Sequence, residues 1–229
     1  MAVIQFNTDD GAASTKRAAA RPAMEAAGNF VLVFAFGVAI AIHSWFVPLL
    51  IGAPLVAMVC ARNRLPAAYY NPSLSFAMLT RRRIAVRDAL AFWLIQSGSG
   101  LSAATLVCAM VGPRQLAVTA ATVKGCTLGA AFALELVFTL ALCYVAFDVS
   151  TSNSRTTTHD DNRWPIALAV IASAIAIGAA TKGAFDPDVS FDDAVLGIFS
   201  WPTLWIYVVS QLLSGIAATI TFVSLAEQR

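Results

Sequence analysis

The sequence predicts an all-α membrane fold: six spanning helices and two half-helices, arranged as two inverted repeats. Three observations predict it. The 229 residues are 59% hydrophobic and only 12% charged, about half the charge a soluble domain of this size carries. The apolar residues run in stretches close to the 20 or so needed to cross a bilayer core. Two shorter apolar stretches each begin at an Asn-Pro or Asp-Pro step, at matching places in the two halves.

In chain order, residues 1–23 form a polar N-terminal tail carrying Lys16, Arg17 and Arg21. The tail has no apolar core ahead of a cleavage site, so no secretory signal is expected. One domain of residues 24–225 follows. Its first repeat, about 24–111, holds spans at 24–43, 46–66 and 86–111 and a short helix at 72–80. A linker of 112–125 leads to a second repeat, about 126–225. This holds spans at 126–149, 164–181 and 202–224 and a short helix at 187–198. Residues 226–229 are a C-terminal tail. The polar 150–163 stretch reads as a solvated loop between the fourth and fifth spans.

The two short helices are predicted from their first residues. Asn71-Pro72 and Asp186-Pro187 each put a good N-cap before a proline, whose missing N–H is not needed in the first turn. Neither helix is long enough to span, and non-spanning helices at membrane depth occur only when buried in protein or lining a wet cavity.

Charge sets the expected topology. The N-terminal tail, the 62–87 region, the 150–163 loop and the C-terminus hold 12 of the 15 Lys and Arg residues. Arg114, Lys124 and Lys182 remain for the other side. Cytoplasmic segments are the basic ones, so both termini are expected in the cytoplasm. Arg81, Arg82 and Arg83 mark that interface, with anionic lipid as the expected contact. The opposite side receives Asp186, Asp188, Asp192 and Asp193.

Each half reads as a helix with an early glutamate (Glu25, Glu135), a second helix, an X-Pro half-helix and a third helix. Three spans per half insert the halves in opposite senses, so their half-helices meet near the midplane. Broken helices at the interface of inverted repeats mark transport sites.

Little else suggests chemistry. Cys60, Cys108, Cys126 and Cys143 lie in or beside apolar runs and read as packing residues. His43 ends a helix and His159 lies in the polar loop, each without a cluster around it. No metal ligand set, no cofactor motif and no nucleophile–base pair is present, so an enzyme is not expected. The basic residues sit at helix ends, which gives no reason to expect nucleic acid.

With these elements placed, the chain resembles the major intrinsic protein family, the aquaporins and aquaglyceroporins. Glu25-x-x-Gly28 followed by Leu32-Val33-Phe34 resembles the family's first-helix signature, and Glu135-x-x-x-Thr139 its fourth-helix counterpart. Tyr69-Tyr70-Asn71-Pro72-Ser73 is similar to the first Asn-Pro-Ala segment. Gln96 with Gly98 and Gly100 resembles the third helix, and Trp205-Ile206-Tyr207 with Ser214-Gly215 the sixth. The resemblance implies an aquaporin-like homotetramer in a lipid bilayer. It also implies that Glu25 and Glu135 are structural acids accepting hydrogen bonds from the half-helix loops. Tyr69 and Tyr70 stand where the family has a histidine and its neighbour.

Both pore-centre boxes depart from the family. Asn71-Pro72-Ser73 keeps its amide, whereas Asp186-Pro187-Asp188 puts a carboxyl group where the second asparagine would stand. Val189 replaces the family's arginine. The remaining constriction positions fall, by family spacing, at Ile51, Ala174 (or Ala176) and Gly183, leaving no aromatic, histidine or arginine there. An ionised Asp186 accepts but cannot donate, and it offsets the positive end of its own half-helix. The expected function is a passive channel for water or small neutral solutes such as glycerol, ammonia or hydrogen peroxide. Two other readings stay open: a non-conducting structural membrane subunit, and a cation or proton leak governed by Asp186.

Overall fold

The structure is a computed structural model that describes residues 8–42, 46–61, 69–112, 126–152, 164–181, 184–197 and 199–226. Gly183, His43, His159, Arg114, Lys124, Lys182 and most of both loops between spans lie outside these residues. Of Ile51 and Cys60 only the backbone is described. The described chain is helical: α1 Thr8–Ala41, α2 Val47–Ala61, α3 Pro72–Thr80, α4 Val86–Val111, α5 Leu128–Ser152, α6 Trp164–Thr181, α7 Pro187–Val195 and α8 Leu204–Ala226. A 3-10 turn, Trp201–Thr203, leads into α8.

Two boundaries correct the sequence reading. The N-terminal tail is helical from Thr8, so α1 begins sixteen residues before the expected span. Six alanines between residues 12 and 23 explain this, since alanine has the highest helix propensity. The second half-helix ends at Val195 instead of residue 198, and the chain then turns at Gly197, whose φ is 75°. Among the described residues four stretches are long and apolar enough to cross a bilayer: Ala20–Ala41, Val86–Val111, Leu128–Val149 and Trp201–Leu225. The other two expected spans are shorter. α2 has 15 described residues, about 22 Å of helix, and the apolar stretch of α6 runs Leu168–Gly178.

Helix packing repeats between the halves. α1 packs on α4 and α2, and α5 packs correspondingly on α8 and α6. Each half-helix packs on the long helix that follows it, α3 on α4 and α7 on α8. Each also crosses to the other half, α3 to α8 and α5, and α7 to α4 and α1. The two contacts that map onto themselves, α2 with α6 and α3 with α7, form the seam. α2 approaches α6 so closely that a Cβ on Gly52 would collide with the Ile171 side chain.

This pairing gives the sequence an internal alignment. Asn71 and Asp186 are 115 residues apart, as are Gln96 and Gln211, and Gly100 and Gly215. Glu25 and Glu135 are 110 apart, as are Asn29 and Thr139. Repeat 1 is thus a built-in reference for repeat 2.

Candidate functional site

The half-helices begin in the same way. Asn71 has extended backbone, and its Oδ1 accepts from Ser73 N at 2.7 Å and Leu74 N at 3.4 Å. Asp186 does the same for Asp188 N at 2.8 Å and Val189 N at 3.4 Å. Such caps contribute about 0.5–2 kcal/mol each. Ser75 and Ser190, one turn on, return their hydroxyls to the carbonyls of Asn71 and Asp186.

The residue before each cap carries the bend. Tyr70 has φ 54° and Phe185 φ 51°, the left-handed region that bulky residues rarely occupy. What holds them there is the buried glutamate of the same repeat. Glu25 accepts from Tyr69 N at 2.6 Å and Tyr70 N at 2.8 Å, and from Gln96 Nε2 at 3.0 Å. Glu135 accepts from Phe185 N at 3.2 Å, Gln211 Nε2 at 3.0 Å and Thr181 Oγ1 at 2.6 Å. Irregular backbone at membrane depth must find partners inside the protein, and each carboxylate supplies several acceptor sites in one place. The tyrosine ring of the first bend lies where a Cβ on Gly28 would stand, so glycine there is what lets α1 approach.

The first half reaches across to the second through Asn71 Nδ2, which donates to the carbonyl of Phe185 at 2.8 Å. One amide hydrogen of Asn71 is left after that bond. Asp186 commits Oδ1 to its cap, which leaves Oδ2. With Asp186 ionised, the junction offers one side-chain donor and one side-chain acceptor, where two asparagines would offer two donors.

The remaining expected site residues fall as follows. Pro72, Ser73, Pro187 and Asp188 are buried in the first turns of α3 and α7. Ala174 on α6 packs with Leu32, Tyr70 and Phe185, whereas Val189 packs in a different apolar cluster with Val33 and Phe36. Arg81 is not wholly given to the lipid face, because its guanidinium lies 4.5 Å from the ring centroids of both Phe147 and Phe222. Arg82 and Arg83 are exposed.

Sequence reasoning missed the surroundings of α7. It placed Asp192 and Asp193 with the acids of the non-cytoplasmic side, yet both are fully buried. Asn29 of α1, also fully buried, donates to Asp188 Oδ2 at 2.6 Å and to the carbonyl of Gln96 at 2.7 Å. The available signal was spacing: Asp188 and Asp192 are four apart and share one face of the helix.

A sequence family described as MIP, major intrinsic protein, matches residues 21–222. The chain is 28% identical over 170 residues to a probable aquaporin TIP-type alpha of Phaseolus vulgaris, covering 73% of this chain and 65% of that protein. It is 29% identical over 171 residues to a probable aquaporin TIP3-2 of Arabidopsis thaliana, covering 73% and 62%. The chain thus spans slightly less than two thirds of the length of these relatives. The solved structure of the aquaglyceroporin from Plasmodium falciparum has the same fold, with a TM-score of 0.75 at 16% identity over 88% of this chain and 94% of that one. With the family match covering most of its length, the chain belongs to the major intrinsic protein family.

Proposed function

We propose that this protein is a passive transmembrane channel for water and small neutral solutes, among them glycerol, ammonia and hydrogen peroxide. Its pore centre is built from Asn71, Pro72, Ser73, Asp186, Pro187 and Asp188. The observation that carries the reading is the junction of the two capped half-helices, tied by the Asn71 amide to the Phe185 carbonyl. Two helix N-termini brought together at depth make a polar, oriented site of the kind that selects solutes in pores. With one donor and one acceptor, the junction suits a molecule that both donates and accepts.

The constriction in this reading lies around Ile51, Ala174, Gly183 and Val189 and carries no arginine. A site without that charge has a weaker barrier to cations, which makes the cation or proton leak through Asp186 the reading to test beside it. Both termini face the cytoplasm, following the basic residues, and the channel assembles as a homotetramer like its family. Small residues on the spans, such as Gly98, which meets nothing within 4 Å inside the protomer, suit close helix packing.

Proteoliposomes subjected to an osmotic step test the channel. Shrinkage or swelling faster than that of empty vesicles is expected for water or at least one neutral solute. No excess permeability to any solute would support the non-conducting structural subunit instead, and a proton flux read by an internal pH dye would support the leak.

A further inference from the structure

The second half-helix carries a group of carboxyls that its counterpart lacks. Where α7 has Asp188, Asp192 and Asp193, the aligned positions of α3 are Ser73, Ala77 and Met78. Asp188 and Asp192 project on the face of α7 that meets α4 and α1. Their Oδ2 atoms converge on the bare face of Gly100. A Cβ there would collide with Asp192 Oδ2 and lie 2.9 Å from Asp188 Oδ2 and 3.0 Å from Asn29 Nδ2. At the related place Gly215 of α8 lies nearest the Ser73 carbonyl and Ala77 of α3.

Asp192 is fully buried, and neither of its oxygens has a hydrogen-bond partner. Asp188 uses Oδ2 for Asn29 and leaves Oδ1 without one. Neither aspartate is in an ion pair among the described residues. Among the described residues, the groups around them supply no positive charge. α4 offers Gln96, Ser97, Ser99 and Gly100; α1 offers Asn29, with Glu25 one turn away; α8 offers Gln211 and Tyr207; α3 offers Asn71. On α7 itself, Asp186 and Asp193 are further acids. Two neighbouring carboxylates in a buried site, with no cation among the described residues, disfavour each other's charge. A single hydrogen placed between their Oδ2 atoms supplies the partner that Asp192 lacks.

Repeat 1 shows that this arrangement is built and not incidental. At the position of Asn29 the other half has Thr139. The carboxyls of repeat 2 thus meet an amide that repeat 1 supplies, which holds one of them at 2.6 Å.

We propose that Asp188 and Asp192 form a proton-binding site, sharing one proton between their carboxyl groups in the space over Gly100. The proton sits on one oxygen and is accepted by the other, so the pair carries one negative charge, which Asn29 stabilises by donation. This inference goes beyond the channel reading and does not depend on it, since an inert pore would leave the pair intact.

Infrared difference spectroscopy of the reconstituted full-length protein at neutral pH tests the site, through the C=O band of protonated carboxylic acids. Asp188→Asn and Asp192→Asn are each expected to remove one acid equivalent per protomer, because the new amide donates in place of the shared proton. The double variant is expected to lose no more than either single one. Asp192→Ala, which copies the packing that Ala77 already gives in repeat 1, serves if the amide variants do not fold. It is expected to lose one equivalent also. No loss in any variant would overturn the proposal by showing both groups ionised. A loss of two equivalents in the double variant would overturn it by showing two independent acids.

Discussion

The side-chain amide of Asn71 donates to the backbone carbonyl of Phe185 across 114 residues, at 2.8 Å. One residue thus caps its own half-helix and secures the bend that starts the other. Replacing Asn71 with Ala removes the cap, worth about 1 kcal/mol, and orphans a buried carbonyl, worth about 1–3 kcal/mol more. Asn71→Asp keeps the cap and loses only the donor. In detergent melts the alanine variant should unfold at the lower temperature, and equal midpoints would show that the bond to Phe185 dominates.

Asp186→Asn separates cap from pore. Asn and Asp cap equally well, so the melting midpoint should move little. In the channel reading the relative permeabilities should shift, because the junction regains a second donor. If stopped-flow rates for water, glycerol and ammonia and the proton flux all matched the parent, Asp186 would have no part in conduction.

Gly100 and Gly98 make a matched pair on one helix. Alanine at Gly98 meets nothing within 4 Å, whereas alanine at Gly100 meets the carboxyls of Asp192 and Asp188. Overpacking of that kind typically costs about 1–3 kcal/mol. Thermal unfolding should therefore separate the two variants, with Gly100→Ala well below Gly98→Ala.

Glu25→Gln and Glu135→Gln test the supports of the bends. Each swaps a carboxylate for an amide and leaves one former donor facing an NH2 group. A loss of about 1–3 kcal/mol is expected for a buried donor left without its acceptor. Unfolding midpoints that matched the parent for both would show the bends standing without these hydrogen bonds.

Arg81 and its neighbours should divide by role. Arg81 lies over Phe147 and Phe222, a cation–π arrangement worth about 0.5–2 kcal/mol. Arg81→Ala should lower stability, while Arg82→Ala with Arg83→Ala should instead reduce retention of anionic lipid, as read by native mass spectrometry. Equal lipid loss from all three would place Arg81 with the surface pair.

Much of the fold was legible because bilayers impose length and proline imposes a start. α4 spans the residues that the apolar run predicts, and α3 begins at the proline after its cap. The start of α1 is hidden by its polar composition, although its alanines favour helix. The site was less legible for a different reason. A left-handed φ at Tyr70 has no composition signal when the residue is not glycine. The pairing of Asn29 with Asp188 joins positions 159 apart, which spacing along the chain cannot show. Asp192 and Asp193 read as solvated acids because the sequence places them beside a loop, while the packing of α7 on α4 and α8 encloses them.

The bends at Tyr70 and Phe185 also carry information about assembly. A bulky residue in the left-handed region costs on the order of 1–3 kcal/mol unless its surroundings fix it. The groups that fix these two belong to α1 and α5, 45 and 50 residues earlier in the chain. Neither half-helix can settle into its bent start until the first helix of its repeat is standing with its glutamate in place. The re-entrant pieces are thus conditional parts, fitted last into a frame that the long helices have already raised.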